Sequence, residues 1–382
     1  MRKSIVFFLL AIIMLLASCS FALAEESEEI PIHYEKGTIL SVKEEKQGDQ
    51  QPYSFIGTPQ LIKIKLESGP EKGRVVNTIN YLAGDSPYDI HVQPGDRVIV
   101  AVVNDLGKVT YSISDFYRFD YMYFLLGLFI LSLVLFGGWV GFKSIFVIGF
   151  SMLLIFQFFI GQVLAAQWNL ILLTLLVSAI ITVVTQLTVS GWSCKTWGAM
   201  LGTLSGVLVA ALLSHLAIYL MHLTGIDSEE AMLLKTSLTS EINFQGLLFS
   251  GIVLGALGAV MDVAISIASA QQELKLNQPN LNFRQLFVSG MNVGKDVMGT
   301  MSNTLILAYT GSSLPLILLI ASQQDVSLLK ILNLNVIMTE IVRALTGSIG
   351  LICAIPFTAL ITSWLLTKKQ NTSIIESDNH YH

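Results

Sequence analysis

Charge is scarce in this chain. Asp, Glu, Lys and Arg make up 13% of 382 residues, while 53% are hydrophobic. An ordinary soluble domain carries about a quarter charged residues, so the class is a polytopic membrane protein. Cysteine is also scarce. Cys19, Cys194 and Cys353 form neither a metal-binding pattern nor a disulfide framework. A net charge of -5 argues against nucleic-acid binding, which needs a basic footprint. There is no mononucleotide loop, no GxGxxG after a strand and no HExxH. The six histidines are scattered, and His215 and His222, seven apart on one predicted helix, read as packing or interface residues. No metal or cofactor is implied.

What is present is organised around Gly246 to Ala270, GLLFSGIVLGALGAVMDVAISIASA. The stretch is long and apolar enough to cross a bilayer, for which about 20 residues suffice. At about 100° per residue, Gly251, Gly255, Gly258, Asp262, Ser266 and Ser269 share one stripe. An unpaired charge in hydrocarbon costs roughly 3 kcal/mol or more, so this stripe must meet protein or water.

Residues 1–24 read as a secretory signal, with Arg2 and Lys3, an apolar core and Ala22-Leu23-Ala24 before Glu25. Leu16-Ala17-Ser18-Cys19 also matches a lipobox, and an uncleaved anchor is a third reading. Under each of the three, the segment after the leader is exported. Residues 25–115 are polar and turn-rich. Five strands are predicted at Lys36–Lys43, Gln60–Leu66, Arg74–Ile79, Arg97–Val103 and Lys108–Ser112. Their number and spacing fit a small all-β barrel of the OB type. Residues 116–120 are an interfacial junction, aromatic around Arg118, leading into the membrane.

The transmembrane domain, 121–367, is predicted to hold seven helices. They are Tyr121–Gly141, Ser144–Ala165, Leu170–Ser190, Trp197–Leu223, Gly246–Ala270, Gly299–Ile320 and Leu345–Leu366. The first two are expected to form a hairpin around Phe142-Lys143. Ile226–Asn243 holds a short helix, and Leu281–Met298 is expected to lie on the inner surface or re-enter. With the barrel outside, Lys143, Lys195, Lys275, Arg284, Lys295, Lys368 and Lys369 fall inside, and Lys235, Lys330 and Arg343 outside. That distribution follows the positive-inside rule. The tail, 368–382, is then cytoplasmic.

Three polar clusters are candidates for chemistry. The first is the Asp262 stripe. The second is GMNVGKDVMGTMSNT, with Asn292, Lys295, Asp296, Ser302, Asn303 and Thr304. The third is EIVRALTGSIG, in which Glu340 and Arg343 stand one turn apart as an ion pair. Asp262 lies about 12 Å from the inner end of its helix and Asn303 about 6 Å from the start of the next. Ser302, Asn303 and Thr304 are therefore expected partners of Asp262, with Ser266 and Ser269 as neutral ligands. Lys295 and Asp296 read as a solvated inner-surface pair. Gly251, Gly255, Gly258 and Ala259 are expected to let another helix approach closely.

GALGAVMDVAISIAS, GMNVGKDVMGTMSNTLILAYTGSSLPL and EIVRALTGSIGLICAIP closely resemble the signatures of the YibE/F-like family of bacterial integral membrane proteins. The resemblance runs from about Leu125 to Leu366. The β region, with its PGDRV turn and DFYR junction, is similar to the extracytoplasmic segment of the family's longer type. The resemblance implies a multi-pass cell-membrane protein and supplies no reaction and no catalytic residues. Members often look paired, which points to a homo-oligomer or a second similar subunit besides the lipid bilayer as partner.

The expected function is transport of an ion or small polar solute through a polar site around Asp262. The alternative is a non-transporting assembly or signalling protein whose exported β domain binds a partner. An enzyme is not expected. Ser348 with His215 is the remaining constellation for an intramembrane protease, and the two sit on different predicted helices.

Overall fold

The computed structural model describes residues 32–44, 58–82, 89–105, 108–166, 168–237, 242–322 and 327–378. The readings of the leader, residues 1–24, lie outside them. The chain divides into two compact units, one ending at Ser132 and one running from Leu133. Each is described by itself.

The first unit is an antiparallel half-barrel. Its strands are β1 (Ile32–Glu44), β2 (Thr58–Leu66), β3 (Val75–Leu82), β4 (Arg97–Asp105) and β5 (Lys108–Phe116), in the order β3-β2-β1-β4-β5. Alternation builds it. Ile62, Ile64 and Leu66 on β2 face Val98 and Val100 on β4 across a core shared with Ile39, Val76 and Val92. β1 pairs with β4 along its first half and with β2 along its second, and Gly37 pairs with both. A Cβ on Gly37 would overlap Ile64 and come 3.1 Å from Val100, so the strand crosses the core only as glycine. A bulge at Leu40 bends it. The sheet curls until β3 meets β5, where the Thr78 hydroxyl donates to the Tyr111 carbonyl.

Helix α1 (Phe119–Leu153) begins in this unit. Asp120, in its first turn, is favoured there by the helix dipole. Its carboxylate accepts from Arg97 on β4 and lies 3.8 Å from the Lys36 ammonium on β1. That ammonium also sits 4.1 Å from the centre of the Tyr117 ring. Nearby, Glu67 is held below the usual carboxylate range, first by the Thr38 hydroxyl bond and then by the charges of Lys36 and Arg97. Glu71 is lowered in the same way, first by the Tyr111 hydroxyl and then by Arg74.

The second unit is helical. α1 continues through a π-helical stretch, Leu154–Phe159, into α2 (Ile160–Leu164). It is broken at Gly138, whose φ of 53° favours glycine. A Cβ on Gly141 would overlap the Leu133 carbonyl eight residues back, so the chain folds sharply on itself there. The expected turn at Phe142-Lys143 is therefore helical instead, and the bend lies at the Gly137-Gly138 pair. Beyond the break, Phe150, Leu154, Phe159 and Val163 join the helical core.

The remaining helices are α3 (Leu170–Ser190), α4 (Cys194–Leu220), α5 (Glu229–Ser237), α6 (Phe244–Asn277), α7 (Phe283–Ser312), α8 (Leu314–Ala321), α9 (Leu328–Leu332) and α10 (Asn335–Asp378). Among the described residues, five helical runs are long and apolar enough to cross a membrane, and six if α7 and α8, bent by 65°, form one broken span. The 46-residue run Phe119–Leu164 counts as one of these. Leu281–Met298 is not a separate surface segment but supplies the first half of α7, which packs through Leu286, Gly290 and Gly294.

Contacts give the relative directions. Leu170 and Thr174 of α3 meet Gly246 and Ser250 of α6, so these helices run parallel. Gln186 donates to Thr203 over 3.0 Å, making α3 and α4 antiparallel. Gly198 lies against Thr362, Gly202 against Thr358, and Ser214 against Thr346, so α4 and α10 are also antiparallel. Small residues every fourth position on both helices form this seam. A Cβ on Gly206 would come 2.6 Å from Ala354 Cβ, and one on Gly350 would come 2.6 Å from Ala210 Cβ. Among lipid tails the apolar effect between helices vanishes, and such close backbone approach supplies the packing energy. Within one chain the close-approach ladder lies on α4 and α10, while of the Gly251, Gly255, Gly258 and Ala259 set expected from the sequence, Gly255 meets Tyr309 and Gly251 and Gly258 meet nothing.

Candidate functional site

α6 starts where Asn243 accepts a hydrogen bond from the Gly246 amide at 2.9 Å. It then runs through the middle of the bundle, with Ile252, Val253, Ala256, Val260, Val263, Ala264, Ile267 and Ala268 buried. Its remaining stripe is open. Gly251, Gly255, Gly258, Asp262 and Ser266 are exposed within the single chain, and Ser269 is half-buried. Nothing lies within 4 Å of a Cβ built on Gly251 or Gly258. The Ser266 hydroxyl donates to the Asp262 backbone carbonyl at 2.7 Å. The Asp262 carboxylate has no hydrogen bond or ion pair among the described residues. Within one chain, then, the carboxyl faces outward rather than into the bundle. Ala259 is half-buried against the core.

α7 is fixed at its start by a capping box between Asn282 and Gln285. One face, Leu286, Gly290, Gly294 and Leu305, is buried. The rest of its surface carries exposed polar side chains, from Lys295 on one flank through Asn292, Asn303 and Asp296 to Thr300 and Thr304 on the other. Ser302 is half-buried with its hydroxyl unpartnered, and Thr304 is bonded only to the Thr300 carbonyl of its own helix. α7 runs antiparallel to α6, because Gly294 meets Ile267 and Tyr309 meets Gly255. Asp262 falls between Gly255 and Ile267, which places it level with the Thr300–Ser302 turn. No hydrogen bond joins the two rows, although they share a depth.

The third cluster is built differently. Arg343 donates to Glu340 at 2.8 Å, with both side chains about a quarter exposed. Glu340 borders a cavity of about 270 Å³ that is also lined by Tyr309, Thr310, Ser313 and aliphatic side chains. The cavity lies beside the break between α7 and α8, where Pro315 has no N–H to offer the Gly311 carbonyl. Tyr309 Oη, Glu340 Oε2 and Arg343 Nε are all buried without a partner. A Cβ on Gly255 would come 2.7 Å from Tyr309 Oη, so that glycine makes room for the tyrosine. Ser348 is buried with its hydroxyl unpartnered, and His215 lies on an exposed side of α4.

Two comparisons bear on identity. The model of the YibE/F-like protein family matches residues 125–368. The chain belongs to that family. The model of the YibE/F family N-terminal domain matches residues 32–116, the half-barrel. No curated protein and no solved structure matches the chain. The family matches take in all three polar clusters of this YibE/F-like chain and assign none of them a role. Among the described residues, no group of three or more His, Cys, Asp or Glu side chains stands ready for a metal.

Several polar residues escaped the sequence reading. Thr174, Ser178, Thr182 and Gln186 form a fully buried row along α3. Gln271 ties three helices, its amide nitrogen reaching the Leu286 carbonyl at 2.9 Å, the Ala359 carbonyl at 3.0 Å and the Ser363 hydroxyl at 2.9 Å. The spacing of four along α3 was the available signal.

Proposed function

We propose that this YibE/F-like membrane protein is a transporter, or one subunit of a transporter, for an ion or small polar solute, with Asp262 as the charged group of the path. One observation carries the reading. A carboxylate well inside a long apolar helix stands unpartnered on a stripe of glycines and hydroxyls, level with a polar face on the neighbouring helix. Lipid does not accommodate such a group, and intramembrane acids mark ion and proton routes. Ser302 and Asn303 supply neutral oxygens near that depth, and Ser266 and Ser269 lie one and two turns further along α6. Seven crossings are part of the proposal. Split at Gly138, the first run gives pieces of 19 residues (119–137) and 26 residues (139–164), each above the roughly 17 residues that the shortest spans need.

With the half-barrel outside the cell membrane, α3, α6 and α10 run inward and the C-terminus is cytoplasmic. The alternation of helix directions and the distribution of Lys and Arg both support this. The strand order and the approach of β3 to β5 support an OB-type barrel. A partner-binding role for that barrel is the second reading, favoured by the charges that bind Asp120 of α1 to β1 and β4. The test is flux in proteoliposomes across a panel of cations and small polar solutes. Transport abolished by Asp262→Asn at normal protein level supports the reading. Flux of every solute at the protein-free rate would overturn it.

A further inference from the structure

We infer that the outward face of α6 and α7 is closed in the membrane by a second copy of this chain. The inference rests on the reading that these helices cross the bilayer, and it supplies the partner that the Asp262 site needs. Three observations lead to it.

The sides of the bundle differ in chemistry. α4 turns Leu201, Leu208, Leu212 and Leu216 outward, and α10 turns Leu345, Ile349, Ile352 and Leu360 outward. These are surfaces for lipid. α6 turns outward Asp262 and Ser266, and α7 turns outward Lys295, about 40° round the helix from the Tyr309 that meets Gly255. That side needs protein or water against it.

The face is also complementary to itself in charge. Asp262 and Lys295 each lack a partner within the described residues of the chain. Gly294 meets Ile267, so Lys295 is level with Ser266, one turn from Asp262, or about 6 Å along the axis. That is within the reach of a lysine stem. A twofold axis along the membrane normal repeats every contact, so Lys295 of each copy meets Asp262 of the other in two equivalent bridges. Asp296 points about 100° further round α7 and stays outside them.

Finally, the contact surface is open to close approach. Gly251 and Gly258 have nothing within 4 Å of a built Cβ, and they lie on the same stripe as Asp262. Small residues at such spacing let two membrane helices approach to backbone contact. The site around Asp262 is incomplete in one chain and is enclosed by two.

The experiment uses the full-length protein in membrane vesicles, with Cys194 and Cys353 replaced by serine and two epitope tags on co-expressed copies. Gly251→Cys and Gly258→Cys are expected to form an oxidant-induced band carrying both tags, whereas Leu212→Cys stays single. Asp262→Lys or Lys295→Asp alone is expected to lower the Gly258→Cys cross-link several-fold, and the two together to restore it. Counting bleaching steps of the otherwise native, fluorescently labelled protein in bilayers gives a reading independent of any cysteine, and two steps are expected. Single-step bleaching, or a cross-linked band holding a different protein, overturns the inference. Pairing that persists while Asp262→Asn leaves flux unchanged would sink the transport reading and leave the pair standing.

Discussion

Gly202→Ala separates the two glycine sets sharply. A Cβ at Gly202 would fall within the Thr358 side chain and 2.9 Å from Thr358 Cα. Part of that neighbour is backbone, so no rotamer change relieves the overlap, and α4 must move away from α10. Overpacking of this kind costs about 1–3 kcal/mol. Alanine returns up to about 1 kcal/mol of helix propensity. Separation at Gly202 also loosens the contacts at Gly198 and Gly206 on the same seam, which moves the net loss toward about 2 kcal/mol. Gly258→Ala is the control, since nothing lies within 4 Å of the added atom. The assay is thermal unfolding of the purified protein in detergent. Gly202→Ala should lower the midpoint by several degrees, and Thr358→Gly on that background should recover part of it. On the monomeric fraction separated in detergent, Gly258→Ala should leave the midpoint in place or raise it slightly. Equal midpoints for the two alanine variants would refute the packing argument.

Three further outcomes are expected. Gln271→Leu removes the interhelical donor to the Leu286 and Ala359 carbonyls and to the Ser363 hydroxyl, and should cost about 1–2 kcal/mol in the same unfolding assay. Acidification should loosen the half-barrel. Glu67 and Glu71 are lowered from 4.5 in the fold, so the stability they contribute is complete above that value and is lost as pH falls through their folded values. Hydrogen exchange of β1 to β5 should rise below about pH 4.5, and Tyr111→Phe with Thr38→Ala should flatten the dependence. Gly138→Val forces a β-branched residue into positive φ, at a cost of about 1–2 kcal/mol, and should reduce the folded yield measured by size-exclusion chromatography.

Much of the fold is legible in the residues. The five strands declare themselves through alternation and through Gly, Pro and Asp turns, and the helices through apolar length. Two features are not legible, for physical reasons. The bend in the first apolar run lies at Gly138, not at Phe142-Lys143, because the backbone needs φ of 53° there while Lys143 fits within a helix. The buried glycine ladder on α4 and the open one on α6 have the same spacing and the same apolar surroundings. Only the tertiary contacts show that Gly202 meets Thr358 while Gly258 meets nothing in its own chain. For the site, the Asp262 stripe can be found by helical phase alone, but its outward aim cannot. Pro315 marks the break after Ser312, but nothing local places Tyr309 against Glu340 in the cavity beside it.

The central claim is that the Asp262 carboxylate handles a cation inside the membrane. A hydrophobic carbodiimide reacts with a carboxyl group only in its protonated form, which releases Asp262 from the Lys295 bridge, so its modification can be followed by mass spectrometry on the full-length protein in vesicles. An adduct at Asp262 is expected that forms more slowly at higher pH and is slowed further by the transported cation. An Asp262 that stays unmodified, or is modified at the same rate whatever the pH and the cation, would contradict it.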